Sequence, residues 1–158
     1  EAGELIAKGP TVMSEYWRNE SETSIAMRDG WLYTGDIAYM DEDGYIFIVD
    51  RKKDMILSSG FNVYPRDIDE VMYTHPRVLR ACAIGVPDDK RGESVKVFIV
   101  PKPGENVTGD EVIAYCKERL SAYKVPRFVE FIDDLPLTAI GKPDRKALRQ
   151  REMEKLKK

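Results

Sequence analysis

Apolar and polar positions follow two rhythms along this chain, and the change between them falls near residue 50. Before it, short apolar runs are cut by turn signals. Residues 4–7 (ELIA) and 11–13 (TVM) flank Gly9-Pro10, and Asp29-Gly30 precedes Trp31-Leu32-Tyr33. Ile37-Ala38-Tyr39-Met40 follows Thr34-Gly35-Asp36, and Asp41-Glu42-Asp43-Gly44 leads into residues 45–49 (YIFIV). Short runs bounded by Gly, Pro and Asp predict small strands joined by tight turns. The apolar mass of this half is thin for an independent core, so we expect it to pack against sequence outside the chain.

After residue 50 the pattern alternates between strand and helix. Residues 55–57 (MIL) form a short strand or hairpin arm. Pro65 suits a first helical turn, with Ile68, Val71, Met72 and His75 on one stripe and Pro76 as the stop. Residues 78–86 and 95–100 are strands around a polar loop at 87–92. Thr108 and Glu111 have capping-box spacing ahead of a helix carrying Val112, Ile113, Cys116 and Leu120, which Pro126 stops. Residues 128–132 are a strand, 136–143 (PLTAIGKP) a loop, and 144–158 a basic helix with Ala147, Leu148 and Leu156 as sparse apolar positions. The fold class expected is α+β, a mixed sheet with two longer helices on one face, spanning residues 51–158. Residues 1–50 precede it as a β-rich fragment.

Composition narrows the function classes. With 42% hydrophobic and 34% charged residues and a net charge of -3, the 158-residue chain has a globular composition without the basic excess of a nucleic-acid binder. No apolar run approaches the ~18 residues of a membrane span. We expect a cytoplasmic location, at most peripheral to a membrane. Cys82 and Cys116 sit in apolar patterns and are expected as buried free thiols. The sole histidine, His75, lies on an apolar stripe and is expected to be structural. No metal site is expected, because His75, Cys82 and Cys116 lack ligand spacing. A nucleophile elbow GxSxG is absent, as is a phosphate loop GxxxxGK[ST].

Several small constellations remain, each with an ordinary alternative. In Thr34-Gly35-Asp36, glycine admits close backbone approach and the carboxylate can accept ribose hydroxyls, or the trio is a plain turn. Arg51 can offer its rigid fork to ribose or phosphate, or belong to a solvated cluster with Lys52, Lys53 and Asp54. That cluster joins the two halves, where charged groups exchange partners if the halves reorient. Ser59-Gly60-Phe61-Asn62 lines a channel or closes a hairpin. Lys142, after Gly141, can stabilise negative charge developing between two anions, or be a surface lysine.

Taken in order, GELIAKGPTVMSEYW, GWLYTGDIAYMDEDGYIFIVDRKKDMILSSGFNVYP and LPLTAIGKPDRKALR resemble the AMP-forming acyl-CoA synthetases of the adenylate-forming enzymes. The likeness covers practically the whole chain, and DRKKDMI with SGFNVYP is most similar to medium- or long-chain fatty-acyl-CoA ligases. The resemblance implies ATP, Mg2+ and coenzyme A as cofactors and a small carboxylic acid as substrate. It implies an acyl-adenylate formed first, then a thioester, with the small domain rotating between the steps. By the same resemblance Lys142 is the adenylation lysine, Asp36 and Arg51 contact the ATP ribose, and Lys53 is the hinge. Ser59 and Gly60 line the thioester-forming face, and Arg91, Tyr123 and Lys124 meet the coenzyme A nucleotide. The family loop often has lysine where Leu137 stands. The family's phosphate loop and acyl pocket are missing from these residues, so a larger N-terminal domain is expected in cis and the fragment alone is expected to be inactive. An exposed YIFIV strand edge leaves a homodimer open. Two rival readings stay open: an adenylation module loading a carrier protein, and a non-catalytic interaction module.

Overall fold

The computed structural model describes residues 1–157. They divide into two compact units, Glu1–Lys53 and the described residues from Asp54 onward, each considered by itself.

The first unit is an antiparallel sheet built around β3 (Trp31–Met40). Strand β1 (Ala2–Ala7) runs along one edge, while β2 (Met27–Arg28) and β4 (Ile46–Arg51) share the other. Asp29 and Gly30 both take positive φ, as the two-residue β2–β3 turn requires. Asp41 closes the β3–β4 turn by accepting the Asp43 and Tyr45 N–H groups on Oδ1. Only Ile37, Ala38 and Asp50 are buried in this unit, and Tyr45, Ile46, Phe47 and Ile48 stay exposed. One expectation needs correction. Residues 11–13 form no strand, because Gly9-Pro10 opens a turn in which the Val12 N–H reaches the Gly9 carbonyl. Between them and β2 lies a helix to which the pattern of short strands and turns gave no place, α1 (Glu20–Ala26), capped by the Asn19 side chain on the Glu22 N–H.

The second unit is a five-stranded mixed sheet. Its centre is the antiparallel pair β7 (Val78–Asp88) and β8 (Gly92–Pro101). The hairpin β5 (Ile56–Ser58) and β6 (Phe61–Val63) joins β8 at Ser58↔Gly92, and β9 (Phe128–Phe131) pairs parallel to β8. Strand side chains alternate faces, so each strand feeds two cores. Ala81, Ala83, Val95, Val97 and Ile99 meet Ile68 and Met72 of α2 (Pro65–Tyr73) and Val112 and Cys116 of α3 (Gly109–Lys117). Cys82, Ile84, Val86, Phe98 and Val100 meet Leu135 and Leu148, the latter on α4 (Arg145–Lys155).

The α+β fold expected from sequence is present: a mixed α/β domain after a β-rich segment. Helices α2 and α3, nine residues each, share a face as expected, but the basic helix α4, at 11 residues, is longer than either and covers the opposite face through Leu148, while Leu156 is exposed. Helix α3 ends at Lys117, well short of Pro126. The Leu120 N–H bonds back to the Cys116 carbonyl, and the chain turns at an extended Ser121 into a 3-10 turn, Ala122–Lys124. The 87–92 loop is narrower than expected, since Pro87 and Asp88 still pair with Glu93 and Gly92. Both cysteines are buried and free, and burial pushes the Cys82 thiol up to about 12 and the Cys116 thiol up to about 11. Among the described residues no helix is long and apolar enough to cross a membrane.

Candidate functional site

In the first unit, the β3–β4 ladder brings Asp36 and Arg51 together as a register pair. Arg51 Nε lies 3.0 Å from Asp36 Oδ1, with roughly half of the arginine side chain exposed. The Asp36 N–H donates to Thr34 Oγ1, whose hydroxyl donates to the Leu5 carbonyl, so β1 steadies the turn that presents Asp36. The pair offers an acceptor and a cationic fork side by side, the donor set for a vicinal diol or a phosphate edge. Lys53 follows in a 3-10 turn, Lys52–Asp54, with its side chain exposed.

In the second unit, the candidates fall in two groups. The first surrounds the β5–β6 turn. Ser59 and Gly60 have φ of 52° and 82°, the left-handed pair of a two-residue hairpin. The Ser59 N–H donates to the Arg91 carbonyl, which ties this turn to the β7–β8 turn. Asp88 holds that second turn by accepting from the Lys90 and Arg91 N–H groups and from the Ser94 hydroxyl, and these bonds, Ser94 foremost, depress its pKa. Phe61 stacks on Tyr123 with ring centroids 4.6 Å apart, and Lys124 ion-pairs with Asp67 on α2 at 2.7 Å. Beside them an open groove is lined by Arg91, Lys117 and Arg127 over Ile113, Leu120 and Val125. Three cations over an apolar floor suit an anionic ligand with a flat apolar body.

The second group is the Lys142 loop. Leu137 and Pro143 form an isolated antiparallel bridge. The Thr138 N–H donates to the Lys142 carbonyl, the Lys142 N–H to Thr138 Oγ1, and the Gly141 N–H to the Thr138 carbonyl. Gly141 turns at φ 76° with open space around it. The loop is thus a closed small hairpin. It joins α4 through Asp144, whose N–H donates to the Pro136 carbonyl and whose carboxylate caps the Ala147 N–H. Among the described residues, neither the Lys142 amine nor the Arg91 guanidinium meets a hydrogen-bond or ion-pair partner. No bond joins the Lys142 loop to the Ser59-Gly60 turn. They hang from different elements, α4 and the β5–β6 hairpin.

Comparison with known proteins then settles the family. Residues 67–142 match the AMP-binding enzyme C-terminal domain. The long-chain-fatty-acid–CoA ligase of Bacillus subtilis (strain 168) is 48% identical over 154 residues, 98% of this chain and 28% of that enzyme. The chain carries the C-terminal domain of the adenylate-forming acyl-CoA ligases. Solved relatives agree in shape. The o-succinylbenzoate CoA synthetase of Bacillus subtilis, in complex with an acyl-adenylate intermediate, has a TM-score of 0.86 at 38% identity, over 94% of this chain and 30% of that one. ATP-bound MatB from Rhodopseudomonas palustris has a TM-score of 0.87 at 36% identity, over 96% and 30%. The chain therefore spans under a third of the length of these relatives.

Within this domain, sequence reasoning missed Lys117 and Arg127, which join Arg91 only after α3 packs on the sheet and β9 pairs with β8. It also missed the partner of Asp54, which is Arg149 on α4. Neither has a local signal, since the partners lie far apart in sequence. Among the described residues no cluster of three or more His, Cys, Asp or Glu is arranged to hold a metal.

Proposed function

We propose that the chain is the C-terminal part of an ATP-dependent, AMP-forming acid–thiol ligase of the long-chain-fatty-acid–CoA ligase type. Residues 1–50 belong to the end of a large N-terminal domain, and residues 51–158 form the mobile small domain. In the first half-reaction a carboxylate oxygen attacks the α-phosphorus of ATP, forming acyl-adenylate and releasing pyrophosphate. In the second, the thiol sulfur of coenzyme A attacks the acyl carbon, releasing AMP and the thioester, with the thiol proton passing to solvent. Any Mg2+ arrives bound to ATP as part of the substrate.

The residues divide between these steps. Asp36 accepts hydrogen bonds from the ribose hydroxyls, and Arg51 braces the same sugar. Lys142 offsets the repulsion between carboxylate and α-phosphate as they close, an effect greatest in the transition state. Lys53 is the backbone pivot. Ser59 and Gly60, with no side chain beyond Cβ and Oγ, leave room for a thin pantetheine-like arm. The groove of Arg91, Lys117 and Arg127 takes the phosphorylated nucleotide end, with Tyr123, stacked on Phe61, and Lys124 in the turn between its lining residues Ala122 and Val125. Hanging the two chemistries on separate elements of one rigid unit suits a domain that presents one face at a time.

The observation that carries this reading is the pairing of an unpartnered Lys142 amine on a closed hairpin with high identity to long-chain ligases across the chain. The test is acid-dependent conversion of ATP to AMP and pyrophosphate by the full-length ligase, over a panel of fatty and aryl acids. Thioester formation fastest with long-chain acids supports the reading. Turnover confined to aryl acids removes the fatty-acid assignment, and the absence of acid-dependent AMP removes the enzyme class.

A further inference from the structure

Asp54 is the first residue of the second unit and the last of the 3-10 turn Lys52–Asp54. Its carboxylate is among the most buried charged groups here, with a side chain 9% exposed, and Oδ1 accepts from Arg149 Nη2 at 2.8 Å. The partners stand 95 positions apart in sequence. Burying an ion pair adds little net stability, because desolvation offsets the attraction, but it fixes geometry. What matters is which geometry this pair fixes.

Helix α4 does not need Arg149 to stay on the sheet. Leu148 seats it in the core at 1% exposure, and Arg145 grips Asp69 of α2 and the Ala83 carbonyl of β7. Farther along, Lys96 meets Glu152 at 2.6 Å, Arg151 meets Glu130 at 2.8 Å, and Lys155 meets Glu130 at 2.7 Å. Arg149 alone among these contacts reaches the segment by which the chain enters the unit. At its other end α4 begins with Asp144, which clamps the hairpin carrying Lys142.

We infer that the Asp54–Arg149 pair is a positioning device that transmits rotation at the Lys53–Asp54 link through α4 to the Lys142 amine. The inference rests on the ligase reading above. With the pair intact, the entry segment and α4 move as one piece, so a given backbone angle at Lys53 sets one position for Lys142. With the pair broken, α4 stays docked but the entry segment pivots against it, and the amine is delivered imprecisely. The Ser59-Gly60 turn does not share this dependence. It is held by the Ser58↔Gly92 pairing, by the Leu57 N–H on Glu93 and by the Ser59 N–H on Arg91.

The experiment uses the full-length ligase as wild type, Lys142→Ala, Arg149→Ala and Arg149→Lys. Pyrophosphate release without coenzyme A, thioester formation from preformed acyl-adenylate, and thermal stability are measured for each. We expect Arg149→Ala to lose about 100-fold in pyrophosphate release while thioester formation stays within about twofold, the scale of a roughly 1 Å misplacement. Arg149→Lys, which keeps a cation opposite Asp54, regains most of the lost rate. Wild-type pyrophosphate release in Arg149→Ala beside an inactive Lys142→Ala overturns this inference alone. A parallel fall of both half-reactions with lost thermal stability also overturns it, since the pair is then only structural. Full pyrophosphate release in Lys142→Ala overturns the underlying reading of that lysine and this inference with it.

Discussion

Asp36 and Arg51 face each other across the β3–β4 ladder, with Arg51 Nε 3.0 Å from Asp36 Oδ1. The contact is half open to solvent, and such pairs contribute about 0–1 kcal/mol to stability. Under the proposed ligase reading its value lies in ligand binding, because a ribose hydroxyl entering between the two would find an acceptor and a donor already aligned. Arg51→Ala and Asp36→Ala are expected to leave the melting temperature nearly unchanged and to raise KM for ATP by about 10- to 100-fold each, the range for losing a hydrogen bond to a charged group. The double variant should fall short of the product of the two, since each single change already disrupts the shared site. An unchanged KM for ATP in both single variants removes the ribose assignment.

Gly60 sits at φ 82°, and beyond its two chain neighbours no described heavy atom lies within 4 Å of the place an added Cβ would take. Gly60→Ala therefore meets only backbone strain, about 1–2 kcal/mol. A larger side chain fills the open space that the reading gives to the pantetheine arm. Gly60→Leu is expected to slow thioester formation from preformed acyl-adenylate at least about tenfold more than it slows pyrophosphate release, matching the ~1.4 kcal/mol per decade of a steric barrier. Equal slowing of both steps contradicts the placement.

Gly85 is small for a packing reason. A Cβ there stands 2.7 Å from a Glu93 carboxylate oxygen and 3.2 Å from the Ile56 side chain. Glu93 cannot simply swing aside, because it accepts the Leu57 N–H at 2.8 Å and so holds β5 to the sheet. Gly85→Ala is expected to lower stability by about 1–3 kcal/mol, as overpacking does. Urea titration of the whole chain checks this, and an unchanged midpoint contradicts it.

His75 gives the chain an acid sensitivity of one sign. The residue is buried, its Nδ1 accepts the Arg77 N–H at 3.2 Å, and its ring meets the edge of Tyr115. Burial first, then the Arg77 charge, lowers its pKa from 6.5. The folded state thus stays neutral where the unfolded chain takes a proton. The contribution is whole above pH 6.5 and is lost as pH falls below it toward the depressed folded value. As His75 is the sole histidine, His75→Gln should flatten the dependence of the urea midpoint between about pH 7.5 and 5.5. An identical slope in wild type and variant contradicts this.

The sequence is legible where the structure is local. The Thr108–Glu111 capping box is complete, with Glu111 accepting the Thr108 N–H at 2.8 Å and Thr108 accepting the Glu111 N–H at 3.3 Å. The Asp41–Gly44 turn and the free buried cysteines follow from composition at those positions. Helix α1 escaped because its residues are polar and exposed, leaving Asn19 and Glu22 at cap spacing as its one legible mark. The early end of α3 escaped because Leu120, though on the helical stripe, packs against the core from a turn. The Arg149–Asp54 pair and the cationic groove depend on which face α4 and α3 take, and that is settled by strand alternation in β7 and β8 rather than by any neighbouring residue. Residue types mark candidate chemistry, while grouping of the candidates is a tertiary property.

The central claim is that Lys142 serves adenylation and only adenylation. Its most direct test compares wild-type and Lys142→Ala full-length ligase in the two half-reactions separately. The account predicts that pyrophosphate release falls by about 100-fold or more, the scale of losing one charge-stabilising group, while thioester formation from preformed acyl-adenylate persists. Pyrophosphate release at the wild-type rate, or loss of both steps together in a folded variant, contradicts it.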